Sequence, residues 1–477
     1  MDININLNDM VYRYDVYHMF NIFFTFDNIN FVDQNFDYEV IIEENEFSLF
    51  YGEKKYYKYF LDKVEIREEI KKFIFLCLRN ITGENHPWGT LIGIRPSKKA
   101  LELIKQEVEE KEIVESFQKN NLVSKSKAEL CIEVAKYEEK FVNRKSDNIS
   151  VYIGMPFCPT RCLYCSFSST PIASAKKLVQ PYLEALNMEI RAMKRYIEKR
   201  GLNIETVYFG GGTPTAVTEE EFEMLMEEVY NSFVKDRNVK EFTVECGRPD
   251  SITEAKLNTM RTYNVSRISI NPQTMNNKSL KAIGRAHLVE DVIEKFNLAR
   301  RLGFNNINMD IIVGLPNEGL EEVNNTCTII KDMKPDSLTV HGMSIKRGSR
   351  LHEEILLKKT KYIPKQQELN SMYEETKILA KDLGMHPYYM YRQKNMVGTM
   401  ENVGYSTENN ECIYNIEMIE EKQTIIALGA HAVSKVVFLE DNRIERFGNV
   451  RDIIEYTKRI DEMISEKIKL LDTLYGV

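Results

Sequence analysis

Residues 150–167 read SVYI GMPFCPTRCLYCSF. A short apolar run, Ser150 to Ile153, has strand character and breaks at Gly154 into a loop that carries Cys158, Cys162 and Cys165. The run-then-loop pattern recurs downstream. Strands are predicted at 206–209, 242–245, 267–270, 306–313 and 337–340. Helices are predicted at 179–199, 219–233, 254–263, 289–302, 320–333 and 365–383. Strands alternating with helices imply a parallel sheet with right-handed crossovers. Six such units fall short of a closed eight-fold barrel. The expected fold class is therefore α/β, a partial (β/α)6 TIM-like barrel whose working face is the C-terminal ends of its strands.

Before this region, residues 1–148 are read as an N-terminal α/β accessory domain. It has strands at Tyr38–Glu43 and Glu46–Tyr51 and an amphipathic helix at Arg67–Asn80, with further helices at 98–106 and 124–142. A Gly/Pro-punctuated segment, Gly83 to Pro96, holds Trp88. Residues 149–395 form the barrel core. Residues 396–477 form a C-terminal extension, with a glycine-rich turn at Ala427–Ser434 and a final amphipathic helix, expected to close one side of the barrel.

The 477 residues are 43% hydrophobic and 29% charged, ordinary globular composition that excludes global disorder. A net charge of -8 argues against a nucleic-acid binder held by bulk charge. The N-terminal stretch lacks the basic and apolar regions of a signal peptide, and no run of 18 apolar residues occurs. A cytoplasmic chain with reduced thiols and no membrane partner is expected. Cys77, Cys131, Cys246, Cys327 and Cys412 are scattered and read as packing residues.

The chemistry-bearing elements fall where the barrel rule places them. Cys158 follows the first strand and Gly210-Gly211-Gly212-Thr213-Pro214 the second. Glu245 ends the third, and Asn271 to Gln273 follow the fourth. Asp310 lies in the fifth, ahead of Gly314-Leu315-Pro316, and the sixth leads into His341 to Arg347. The spacing Cys158-x3-Cys162-x2-Cys165 puts three thiolates on one short loop, enough for three irons of a [4Fe–4S] cluster. The fourth iron is then open to a substrate or cofactor. Two readings compete. A closed structural zinc site needs four ligands, and no His is near in sequence. Three unrelated core cysteines leave the Pro, Gly and aromatic context unexplained.

The loop, with Tyr164 before its last Cys and with the GGGTP turn, matches the CxxxCxxC signature of the radical S-adenosylmethionine (SAM) superfamily. Arg267-Ile-Ser-Ile, Gln273, Gly284-Arg285-Ala-His287 and Asn308 to Pro316 are similar to the oxygen-independent coproporphyrinogen III oxidase (dehydrogenase) family. The segments Trp88–Pro96, Val244–Thr253, Tyr389–Asn395 and Glu401–Tyr405 resemble its HemZ-like branch. The resemblance covers nearly the whole chain and is strongest from 150 to 435.

It implies a radical-SAM barrel with two cofactors, a [4Fe–4S] cluster on Cys158, Cys162 and Cys165, and SAM on the open iron. One electron would then cleave SAM to methionine and a 5′-deoxyadenosyl radical. It further implies SAM contacts from Tyr152, Gly211, Gly212, Thr213, Glu245, Gln273, Arg285 and Asp310, and an apolar adenine contact from Val433. The implied reaction converts two propionates of coproporphyrinogen III to vinyls, giving protoporphyrinogen IX for haem biosynthesis. The implied partners are a tetrapyrrole substrate and an electron donor such as flavodoxin or ferredoxin, with a monomeric chain.

Lys346, Arg347, Arg392 and Lys394 are candidates for the substrate carboxylates. Tyr389 and Tyr391 are candidates for its pyrrole faces, as is Tyr388. One position departs from the oxidase pattern. Phe167 stands where that branch has a fourth Cys, a change shared with related haem-trafficking chaperones. Two alternatives follow: a haem-binding chaperone-like homologue, or another radical SAM tetrapyrrole enzyme such as a haem-degrading methyltransferase.

Overall fold

The computed structural model describes residues 2–59, 65–165, 169–346, 348–357 and 362–476. The chain starts with a five-stranded sheet of β1 (Asp2–Leu7), β2 (Asn28–Phe31), β3 (Tyr38–Ile42), β4 (Glu46–Tyr51) and β5 (Lys54–Tyr59), in the order β2-β1-β3-β4-β5. β1 pairs parallel with β2 and β3, and the rest is antiparallel. Helices Arg13–Phe23 and Ile66–Thr82 supply its core, with Val16, Met19 and Phe20 from one and Ile70, Phe73, Ile74, Cys77 and Leu78 from the other. That i, i+3, i+4 spacing is the apolar stripe expected of a helix on a sheet.

The barrel strands are β6 (Asn148–Met155), β9 (Asn203–Gly211), β10 (Glu241–Gly247), β11 (Arg267–Ile270), β12 (Ile307–Val313) and β13 (Ser337–Gly342). Between β6 and β9 lie two short strands, β7 (Phe157–Cys158) and β8 (Thr170–Pro171), which pair with each other. All six barrel strands are parallel neighbours, in the order β13-β12-β11-β10-β9-β6. Burial on both faces explains their continuous apolar runs: seven of nine residues in β9 are buried, and all four in β11.

The sheet extends past both ends of this set. β15 (Asn402–Ser406) pairs antiparallel with β13 and carries β14 (His386–Tyr391) at the edge. On the far side β16 (Thr424–Leu428) adds a seventh parallel strand beside β6. It is followed by β17 (Val433–Phe438) and β18 (Arg443–Gly448). The expected turn at 427–434 is thus the end of β16, a short connection and the start of β17.

One apolar core runs from Trp88 to Leu471 and includes residues of the helices Ser97–Lys105, Glu110–Asn121 and Lys125–Glu138. The β14–β15 hairpin straddles residue 395. Residues 88–135 thus share the barrel's core, whereas residues 3–78 pack into a core of their own. No helix among the described residues is long and apolar enough to cross a membrane.

The extension is pinned by a buried ion pair. Glu189, on helix Lys176–Arg200, bonds Lys467, on helix Ile460–Tyr475, and both side chains are wholly out of solvent. Glu189 also accepts from Tyr456 Oη (2.7 Å), Asn449 Nδ2 (2.9 Å) and the Gly429 N–H (2.8 Å). Removing one partner of such a pair strands the other charge in a low-dielectric interior. Lys467→Ala should therefore lower the unfolding free energy by about 3–5 kcal/mol, read from denaturant melts. A change below about 1 kcal/mol contradicts this anchoring role.

Candidate functional site

The mouth of the barrel is built on a close backbone approach. Gly212 N–H donates to Met155 O at 2.6 Å and Thr213 N–H to Phe157 O at 2.8 Å. A Cβ on Gly212 would sit 2.6 Å from Phe157 O and 2.9 Å from Cys158 Sγ, and one on Gly211 (φ +105°) would meet Met155 O at 2.8 Å. Only glycine lets the second strand's end lie against the cysteine loop. Thr213 Oγ1 then donates to Cys158 Sγ at 3.4 Å. Burial pushes the Cys158 thiol up, with Thr213 and Ser169 opposing.

The rest of the loop is tied to neighbouring connections of the mouth. Leu163 N–H donates to Ile283 O (2.9 Å), Thr160 Oγ1 to Gly284 O (3.1 Å) and Arg161 Nη2 to Gly348 O (3.1 Å). Cys162 and Cys165 are half-buried, and Cys165 N–H donates to Cys162 O at 3.2 Å. Arg285 is buried, donates to Asn271 O at 2.7 Å and also bonds Tyr164 and Cys162. Its Nε has no partner. Among the described residues no three His, Cys, Asp or Glu side chains converge tightly enough for a single metal ion. A cubane instead takes one thiolate at each of three separate corners. A loop with three thiols, a side-chain-free glycine cradle and a buried cation at its flank fits that demand. Phe167 lies outside the described residues.

Two acids at the mouth behave oppositely. Glu245 is pushed up to about 7 by burial, with Asp310 adding to the rise and bonds from Tyr208 and the Gly211 backbone opposing it. For Asp310 burial also acts upward, but His341 (3.8 Å), Asn308 Nδ2 (2.7 Å) and Thr339 hold it below its ordinary range. Gln273 takes a left-handed φ of +68° and donates its N–H to Asp310 O at 2.9 Å, which sets it beside β12. Tyr152 stacks with Tyr208 and Tyr414 at 6.2 and 6.1 Å, forming an aromatic wall beside Glu245. The sequence reading missed Tyr208 and Tyr414. The first had a signal in its position on β9, whereas the second comes from helix Ile413–Glu420, about 260 residues from Tyr152.

The structure thus gathers Tyr152, Cys158, Cys162, Cys165, Gly211, Gly212, Thr213, Glu245, Gln273, Arg285 and Asp310 at one face. Val433 starts β17 beside the end of β16, and is 43% exposed at the rim. Tyr389 is buried against the bare Cα of Gly404 and stacks with Tyr391 at 6.4 Å, and both rings feel the Asp310 charge. Lys346 is half-buried after β13, Lys394 is exposed, and Arg347 lies outside the described residues. Arg392 is engaged elsewhere. Its guanidinium bonds Leu91 O and Thr399 O and covers the Trp88 ring at 5.1 Å.

The chain matches the radical SAM superfamily model over residues 152–330. It is 40% identical over 415 residues to the oxygen-independent coproporphyrinogen-III oxidase-like protein HemZ of Bacillus subtilis, covering 86% of this chain and 82% of that one. It is 31% identical over 240 residues to the heme chaperone HemW of the same organism, covering 50% and 62%. Among solved structures it resembles coproporphyrinogen III oxidase (HemN) from Escherichia coli, with a TM-score of 0.52 at 21% identity over 68% of this chain and 72% of that one. That likeness shows the shared fold.

The raised Glu245 carboxyl has a consequence for stability. Its folded value of about 7 lies above the ordinary 4.5, so it favours the folded state fully below pH 4.5 and loses that contribution as pH rises through 7. Glu245→Gln in the ligand-free chain should therefore gain stability over wild type between pH 5 and 8, by on the order of 3 kcal/mol. Thermal melts at the two pH values check it. A pH-independent difference contradicts the assignment.

Proposed function

The chain belongs to the oxygen-independent coproporphyrinogen III oxidase-like family of radical SAM oxidoreductases, and on that premise we propose that it oxidatively decarboxylates two propionates of coproporphyrinogen III to vinyls, giving protoporphyrinogen IX. The observation that carries this reading is the seating of the three-cysteine loop, through Met155, Phe157 and Cys158, against the Gly210–Gly212 turn at the same barrel mouth as Glu245 and Asp310.

In this proposal the three thiolates hold three irons of a [4Fe–4S] cluster and leave the fourth to SAM. When bound, the cluster and SAM supply a carbon-centred 5′-deoxyadenosyl radical able to take a hydrogen from a propionate carbon. The chain binds and orients. Gly211, Gly212 and Thr213 offer backbone groups to the methionine moiety. Glu245, Gln273, Arg285 and Asp310 present charges and hydrogen bonds around it, and Val433 gives an apolar edge for the adenine. The wall of Tyr152, Tyr208 and Tyr414 excludes water from the reacting centre.

Lys346, Arg347 and Lys394 are proposed to meet the substrate carboxylates, and Tyr389 and Tyr391 its rings. Arg392 contributes indirectly, by holding residues 88–95 beside them. We also propose an electron donor of the flavodoxin or ferredoxin kind, a monomeric state and a cytoplasmic location. The likeness to HemW, and Phe167 at the fourth-Cys position, support haem binding as the second reading.

Anaerobic reconstitution with iron and sulfide, then incubation with SAM, reductant and coproporphyrinogen III, separates these. Vinyl product with CO2 release is expected. Stable haem binding without product supports the second reading, and haem consumption to a methylated linear product supports a haem-degrading methyltransferase. Cys162→Ala should lose the brown cluster chromophore and drop activity by more than ~10²-fold. A full cluster in that variant contradicts the ligand assignment.

A further inference from the structure

The barrel's third strand departs from regularity where it reaches the cysteine loop. The β10–β11 register shifts between Glu245 and Gly247, and Gly247 takes φ +60°. Such a bulge re-aims the side chain that follows it. Here that residue is Arg248, only 3% exposed despite its charge. Its fork is bidentate on Asp250, with Nε to Oδ1 at 2.9 Å and Nη2 to Oδ2 at 2.7 Å. The remaining nitrogen, Nη1, donates to Thr160 Oγ1 at 2.6 Å and Thr160 O at 3.1 Å. Thr160 lies midway between Cys158 and Cys162. Asp250 is itself backed by His287, whose ring is fully buried 3.9 Å away. The base of the bulge is also fastened to the glycine turn, through Thr215 Oγ1 on Cys246 O (3.1 Å) and on Ser251 Oγ (2.6 Å).

We propose that Arg248 is a positioning residue that locks the cysteine loop in its cluster-ready shape through Thr160, with Asp250 fixing the guanidinium. A buried ion pair with well-formed hydrogen bonds is a rigid support, because moving either partner leaves an unpaired charge in the interior. The planar fork matters. Lysine can carry the charge but cannot hold Asp250 bidentately and Thr160 at once. The inference rests on Cys158, Cys162 and Cys165 being the cluster ligands, and its test includes a measurement that needs no cluster.

Arg248→Gln, Arg248→Lys and Thr160→Val are compared with wild type. In the cluster-free chain, alkylation of Cys162 and Cys165 is followed by mass spectrometry, with buried Cys131 as internal reference. In the reconstituted chain, loss of the cluster to a chelator and its midpoint potential are followed. Arg248→Gln should alkylate at both thiols and lose its cluster ~10-fold faster, with Cys131 unchanged. Arg248→Lys should fall between it and wild type, and the potential should shift in both. Thr160→Val, which keeps the Arg248–Asp250 pair but also loses the Thr160–Gly284 bond, should move the same readouts in the same direction, and Arg248→Lys decides the matter if Arg248→Gln does not fold, wild-type rates in it then overturning the proposal. Wild-type alkylation and chelation rates in Arg248→Gln and Thr160→Val overturn the proposal. A wild-type chain that takes up no cluster overturns the ligand reading instead, and the alkylation rates still decide whether Arg248 holds the loop.

Discussion

The site depends on how closely two backbones approach. The loop carrying the three cysteines can lie against the second barrel strand only because Gly211 and Gly212 lack side chains. Any Cβ there would meet the carbonyls of Met155 or Phe157, or the sulfur of Cys158. Two short backbone hydrogen bonds then fix Cys158 relative to β9. The other ties on the loop, to Ile283, Gly284, Gly348 and Arg248, come from three further elements of the mouth. The parallel sheet places those elements together, since consecutive parallel strands bring all their C-terminal ends to one face.

The barrel was legible in the sequence because both determinants are local. Each strand is a short apolar run and each helix an apolar stripe, so the six strands fall within a few residues of their predicted places. The cysteine, glycine and acidic positions were legible for the same reason: each sits in a strand or in the connection that follows one. What escaped was set by long-range pairing. β16 reads as part of a glycine-rich turn, and only its pairing with β6, about 275 residues earlier, makes it a strand. Glu189 and Lys467 each look like solvated helix residues until the fold buries them against each other. Arg248 was inside a quoted motif, but nothing local to that motif showed that a bulge would turn it toward Thr160.

The substrate side was less legible because a cation's sequence position does not reveal what it bonds. Arg392 sits in the same short loop as Lys394, yet its guanidinium is taken up by Leu91, Thr399 and the Trp88 ring. Trp88 in turn donates to Glu401 at 2.7 Å, so the N-terminal segment 88–95 is fastened to both ends of the connection between β14 and β15. This links the family-like WGTLIGIRP and YMYRQKN stretches physically. They are two sides of one wall, which brings residues from the first hundred positions to the barrel's edge.

The central claim is that three protein thiolates hold a four-iron cluster whose remaining iron is reserved for SAM. Mössbauer spectroscopy of the chain reconstituted with 57Fe, recorded before and after SAM is added, tests it most directly. The account predicts that about a quarter of the iron absorption, one site in four, moves on adding SAM while the rest stays in place. A spectrum that SAM leaves unchanged, or one in which all four irons have protein ligands, would contradict it.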